Sequence, residues 1–186
     1  EVLAHARRIR QWQSETLNAE ESDRRLFAVT AEAEKAEQFG VPAGHILQMG
    51  TWTGGRFSVW SPVGVTAAVT MGADAFEELL VGGASMDRHF REAPLRDNLP
   101  VILGLLDVWY ADVLGAETHG VLPYDWALRL LPAHLQQLEM ESNGKRVTRE
   151  GAPIGMATSP IVWGGPGNNG QHAYYQLLHQ GTRLVP

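Results

Sequence analysis

A chain of 186 residues is long enough for one medium domain or parts of two, and its hydrophobic fraction of 44% belongs to a globular protein rather than a disordered one. The net charge is only −6 and the fifteen basic residues are scattered, all Arg except Lys35 and Lys145, so no nucleic-acid partner is expected. The absence of cysteine excludes disulfides, thiolate metal sites and thiol nucleophiles; no apolar run reaches the roughly 18 residues of a spanning helix, so no membrane partner is expected and the cytoplasm is the expected location.

Val2 to Trp12 places Val2, Leu3, Ala6, Ile9 and Trp12 at helical spacing, and this helix already looks like an interior one at Glu1. Leu26 to Val29 and His45 to Met49 are short apolar runs that suit buried strands. Between them, Ala31 to Phe39 is charged and Ala-rich and predicts a surface helix closed by Gly40. This alternation implies α/β architecture with a parallel sheet. After Gly54-Gly55-Arg56, Phe57 to Thr70 predicts a buried helix despite Pro62 and Gly64. Asp74 to Arg91 predicts a helix broken at Gly82-Gly83, and Leu99 to Leu114 a long buried helix.

Val121-Leu122-Pro123 is a further strand candidate, and Leu128, Leu131, Leu135 and Leu138 give Tyr124 to Met140 a helical period. Ile161 to Trp163 predicts a strand, Gly164 to Gly170 a loop, and Gln171 to His179 a helix ending at Gly181. Leu184-Val185-Pro186 reads as the beginning of another strand, so an internal piece of a longer protein is expected.

Three groups of residues carry chemistry. Gly54-Gly55-Arg56 sits at a turn opening a helix, where bare backbone approaches a ligand closely and a fixed cation stands beside it. That suits a phosphate or a developing oxyanion, and it equally suits a surface turn. Gln137 and Glu141 are spaced i, i+4 and share a helix face. There the carboxylate is either a general base with an orienting amide or a solvated helix end. Finally, the Gly-rich run from Gly164 leads to His172, whose imidazole exchanges protons near neutral pH or simply completes a polar loop.

Taken together and in this order, Gly54-Gly55-Arg56-Phe57-Ser58-Val59-Trp60-Ser61, Met140-Glu141-Ser142-Asn143-Gly144-Lys145 and the run from Pro160 to Thr182 resemble the signature stretches of the phosphoglucose isomerase family. Asp87 to Phe90, Asn98-Leu99-Pro100, Gly115 to Thr118 and Leu122 to Asp125 extend the resemblance over essentially the whole chain. It implies three-layer α/β/α sandwiches of the sugar-isomerase type, here incomplete portions of two such domains, 1–72 and 73–186. It also implies interconversion of glucose 6-phosphate and fructose 6-phosphate, with no metal and no organic cofactor, in a homodimer.

By motif, Glu141 would carry the proton between sugar C2 and C1. Arg56, with the Gly55 backbone, would stabilise the cis-enediol(ate). Gln137 would help hold the substrate, and His172, contributed by the neighbouring subunit, would assist ring opening. Gly165 and Asn168 stand where the family has Glu and Thr. The family's Ser/Thr-rich phosphate-binding segment and a catalytic Lys have no counterpart in these residues, so the 186 residues alone are expected to be inactive. Those absences keep a non-catalytic sugar-phosphate-binding module as the alternative, and fusion to another sugar-phosphate enzyme or activity on mannose 6-phosphate stays open.

Overall fold

A computed structural model describes residues 2–186, which form two compact units, one closing at Leu80 and the other running Val81–Pro186. In the first, α1 (Val2–Ser14) is followed by α2 (Ala19–Arg24). Asn18 caps α2 by accepting a hydrogen bond from the Glu21 N–H at 2.9 Å, and Glu20 and Glu21 place negative charge at its positive end. Strand β1 (Ala28–Thr30), helix α3 (Ala33–Phe39) and strand β2 (Ile46–Gln48) then form a β–α–β unit, its strands parallel with Ala28 opposite Ile46. Gly40 ends α3 at φ +96, and a Cβ there would lie 2.6 Å from Arg10 Nη1. Arg10 occupies that space because it bridges two elements, donating to Phe39 O at 2.7 Å and to Asp23 Oδ1 at 2.8 Å.

The segment after β2 differs from the single buried helix expected over Phe57 to Thr70. It folds as 3₁₀ turns at Gly55–Trp60 and Pro62–Gly64 before α4 (Val65–Met71), and most of its side chains are exposed. Ser61 is extended and Pro62 has no N–H to continue a helical ladder, so the helix has to restart. The division between units falls within α5 (Ala73–Glu92), which runs unbroken through Gly82-Gly83. A helix-interior glycine costs only about 1 kcal/mol, and the long flanking runs of helix formers override it.

In the second unit, Asn98 (2% exposed) donates from its amide to Phe90 O at 2.8 Å and accepts from Val101 N–H at 3.3 Å. It thereby closes α5 and caps α6 (Leu99–Val108), with Pro100 in the first turn. The expected helix is present and continues as a π-helical turn, Trp109–Val113, but its apolar side chains are not buried: Leu103 is 62% and Leu105 65% exposed. Strand β3 (Thr118–Val121) runs parallel to β4 (Ile161–Gly164) and ends before Leu122-Pro123, where a strand was expected to centre. Pro123 has no N–H for a ladder. Beyond β3, Gly120 N–H donates to Pro186 O at 2.9 Å.

Helical structure expected from Tyr124 begins with a 3₁₀ turn at Trp126–Leu128 and becomes α7 (Leu131–Gln136), extended by a π-helical turn, Gln137–Glu141. Val162 of β4 is 1% exposed, and α7 packs across this strand through Gln136 Nε2, which donates to Val162 O at 3.0 Å. The expected loop Gly164 to Gly170 is shorter than anticipated, because Gly167 to Gly170 already form the first turn of α8 (Gly167–Ala173). The following helix breaks at Tyr174 before α9 (Tyr175–Gln180). Each unit is thus an incomplete portion of an α/β fold with a parallel strand pair.

Candidate functional site

Gly55 and Arg56 lie in the first unit, on the loop that follows the carboxyl end of β2, the usual place for a ligand in a parallel sheet. Gly55 has φ +55, and a Cβ there would meet no atom within 4 Å, so its backbone faces open space. The turn is locked from beneath by Ser58 (3% exposed), whose hydroxyl donates to Gly55 O at 2.6 Å. The Arg56 guanidinium lies 5.4 Å from the Phe57 ring centre. Beside this turn is a cavity of about 760 Å³ lined in part by Gln48, Trp52, Gly54, Phe57 and Trp60. Open space therefore adjoins the turn that carries Gly55 and Arg56, although neither of these two residues lines it.

Gln137 and Glu141 lie in the second unit and are brought into contact, the Gln137 amide donating to Glu141 Oε2 at 3.1 Å. Both side chains are exposed. Their turn is held at its far end by Lys145, whose ammonium donates to Ser142 O at 2.8 Å and also to Glu141 O. A cation at a helix carboxyl end is favoured. Gly144 returns its N–H to Met140 O at 2.9 Å, and a Cβ there would sit 2.4 Å from that oxygen. The Glu-Ser-Asn-Gly-Lys run thus acts as a cap that fixes its own carboxylate. A π-helical turn is rare and often marks a functional position.

Two residues earlier, Glu139 is half-buried and its carboxyl is raised above the usual range, chiefly by desolvation and then by the charge of Asp107, with His119 partly offsetting both. His119 Nδ1 stands 3.5 Å from Asp107 Oδ1. Among the described residues no group of His, Asp and Glu is arranged to hold a metal ion.

His172 is exposed on α8, within the helix rather than at the end of a free loop. The glycines before it have steric reasons. At Gly164 (φ +143) a Cβ would lie 2.0 Å from Val121 O, and at Gly167 it would lie 2.5 Å from the Tyr124 ring. At Gly170 it would meet the Tyr174 hydroxyl at 2.7 Å. Gly165 has open space where a side chain would project, so a Glu at this position would fit without a clash.

The sequence reading did not single out Ser58, Tyr124, Gln136 or the capping role of Lys145. Tyr124 was detectable only as part of Leu122-Pro123-Tyr124-Asp125, and nothing in its spacing reveals the contact with Gly167.

A sequence model of the phosphoglucose isomerase family matches residues 1–186. The chain is 49% identical over 187 aligned residues to a protein named glucose-6-phosphate isomerase from Pseudomonas aeruginosa, covering 100% of this chain and 34% of that protein. It spans about a third of the length of the curated relatives it matches. The crystal structure of a glucose-6-phosphate isomerase from Chlamydia trachomatis superposes with a TM-score of 0.81 at 40% identity, over 96% of this chain and 34% of that one. A hypothetical protein from Thermus thermophilus superposes at 0.78 with 29% identity, over 98% of this chain and 42% of that one.

Proposed function

The chain belongs to the phosphoglucose isomerase family, and we propose that it supplies the central part of an aldose–ketose isomerase acting on glucose 6-phosphate and fructose 6-phosphate. The observation that carries the reading is the exposed Glu141 carboxylate, oriented by the Gln137 amide on a turn capped by Lys145.

In this mechanism Glu141 takes the C2 proton of the open-chain aldose. The C–H electron pair becomes the C1–C2 double bond, and the carbonyl oxygen gains the negative charge of a cis-enediolate. To Arg56 and the Gly55 N–H falls the stabilisation of that charge by fixed positive potential where it develops. The O2 proton passes to O1, and the protonated Glu141 then returns its proton to C1 as the C2–O bond becomes the carbonyl of the ketose. One carboxyl serves both steps because the two carbons are adjacent. Gln137 holds Glu141 and a substrate hydroxyl, and His172 moves the proton between ring oxygen and hemiacetal oxygen when the ring opens.

The finer parts of the reading go with it: a homodimer in which His172 serves the neighbouring subunit's site, a cytoplasmic setting, and sugar-isomerase domains meeting near Met71-Gly72-Ala73. Gly72 turns the chain between α4 and α5 at φ +93, whereas the two compact units divide at Leu80, within α5. For membrane association there is no structural support in a helix, since no described helix is long and apolar enough to cross a bilayer.

The test is Glu141→Gln in the full-length protein. Isomerisation and exchange of the C2 proton with deuterated water should both fall about a thousandfold, the scale of a lost general base. Wild-type turnover in this variant would remove Glu141 from the mechanism.

A further inference from the structure

We infer that Tyr124 is a positioning residue for His172, holding α8 through its ring and its hydroxyl so that the imidazole is presented in one orientation. The inference rests on the reading of His172 as the ring-opening group.

Five contacts join the end of β3 and the segment after it to the segment after β4. Gly165 N–H donates to Val121 O at 3.2 Å, and Gly167 N–H donates to Pro123 O at 2.8 Å. The Tyr124 ring lies against Gly167, filling the space a side chain would need. Its hydroxyl accepts a hydrogen bond from Gln171 Nε2 at 2.9 Å, one residue before His172. The same hydroxyl is 3.0 Å from the Tyr175 hydroxyl, so one phenol joins α8 to α9 across the break at Tyr174.

The helix gripped in this way is only seven residues long and has glycine at two of them, Gly167 and Gly170, so its own propensity is poor. Its direction has to come from outside. The ring contact at Gly167 and the bond at Gln171 are four positions apart, and two points on a short helix set both tilt and rotation. Tyr174 in turn fills the space at Gly170 and meets Trp163 of β4 edge-on at 4.9 Å. The hydrogen bond to Tyr124 pushes the Tyr175 hydroxyl up to about 12, which keeps this proton in place through the working pH range of an isomerase.

The geometry separates two functions. Glu141 is held by Gln137 and Lys145, none of which touches the tyrosine pair in the contacts above. Loss of the Tyr124 hydroxyl should therefore damage ring opening and spare proton transfer at carbon.

The experiment compares wild type, Tyr124→Phe, Gln171→Leu and the double variant in the full-length protein. Two substrates are used: glucose 6-phosphate, which must be opened, and erythrose 4-phosphate, whose O4 carries the phosphate so that no hydroxyl is left to close a five-membered ring. With glucose 6-phosphate, Tyr124→Phe should lower kcat about tenfold, the scale of a modest misplacement, with KM changed by less than about twofold. Exchange of the erythrose 4-phosphate C2 proton with deuterated water should be unchanged.

Gln171→Leu should reproduce the effect, and the double variant should add little, because both changes break the same bond. Tyr124→Phe keeps the ring on Gly167, so folding is preserved while the bond is lost. Wild-type kinetics in Tyr124→Phe, or equal losses on both substrates, would overturn the inference while leaving the isomerase reading intact. Wild-type protein that fails to isomerise glucose 6-phosphate would instead overturn that reading, and the inference with it.

Discussion

At Glu139 the local environment works against the charge the residue carries at neutral pH. Its carboxyl is desolvated and faces Asp107, so its pKa in the folded protein lies above the unfolded value. The folded state then holds the proton more tightly than the unfolded state does. This group contributes stability below its unfolded pKa, and that contribution is lost as pH rises through the raised folded value. Replacing it with Gln removes the penalty where Glu is ionised. Glu139→Gln should therefore raise the melting temperature by a degree or two at pH 7 to 8 and leave it unchanged or lower near pH 4, read by thermal melts across pH. A uniform effect at all pH values would point to lost packing instead. Nearby Glu141 differs in kind: it is exposed, and its partners are hydrogen-bond donors, Gln137 at its side chain and Lys145 at its carbonyl. Two carboxylates two residues apart are thus assigned different work by their surroundings.

Among the elements, the junction of α5 and α6 depends on one side chain. Asn98 is almost fully buried, donates to the end of α5 and accepts from the start of α6. Asn98→Ala would remove a cap worth about 1 kcal/mol and leave the Phe90 carbonyl without its buried donor, for a total near 2 to 3 kcal/mol. Denaturant unfolding of the variant measures this, and a loss under about 0.5 kcal/mol would show that water replaces the amide. The same logic explains where sequence periodicity succeeded. The helix over Val2 to Ser14, the closing of α3 at Gly40 and the strand at Ile161 all have local signals, an apolar spacing, a glycine at the carboxyl end and a β-branched run. It misplaced elements where flanking helix formers or a packed neighbour override the local signal. The sequence of α5 invites a break at Gly82-Gly83 that does not occur, and Gly167 to Gly170 invite a loop that the Tyr124 and Tyr174 rings convert into a helix.

On the scale of the whole molecule, the two units expose much apolar surface. Leu103, Leu105 and Trp109 along α6 and its π-helical extension are more than half exposed, as are Ile9 and Trp12 of α1. Surface of this extent drives association in water. The 186 residues prepared alone should self-associate in sedimentation velocity, bind an apolar fluorescent dye and show no isomerisation of glucose 6-phosphate. A monodisperse, dye-silent and active preparation would contradict all three expectations. The α/β class and the parallel pairing followed from the order of apolar runs, because parallel strands require a crossover and the helices between the runs provide one.

What the sequence determined by itself was the set of chemical groups: Arg56 after two glycines, Glu141 four residues after Gln137, and His172 after a Gly-rich run. Their spacing is local, so a single chain segment encodes it. Tertiary structure decided how two of these groups are held. Val162 of β4 receives Gln136, the neighbour of Gln137, and Tyr124 from the loop after β3 grips the helix that bears His172. Those contacts join residues 26 and 47 positions apart, and no periodicity spans such distances because only the packed strands bring the partners together.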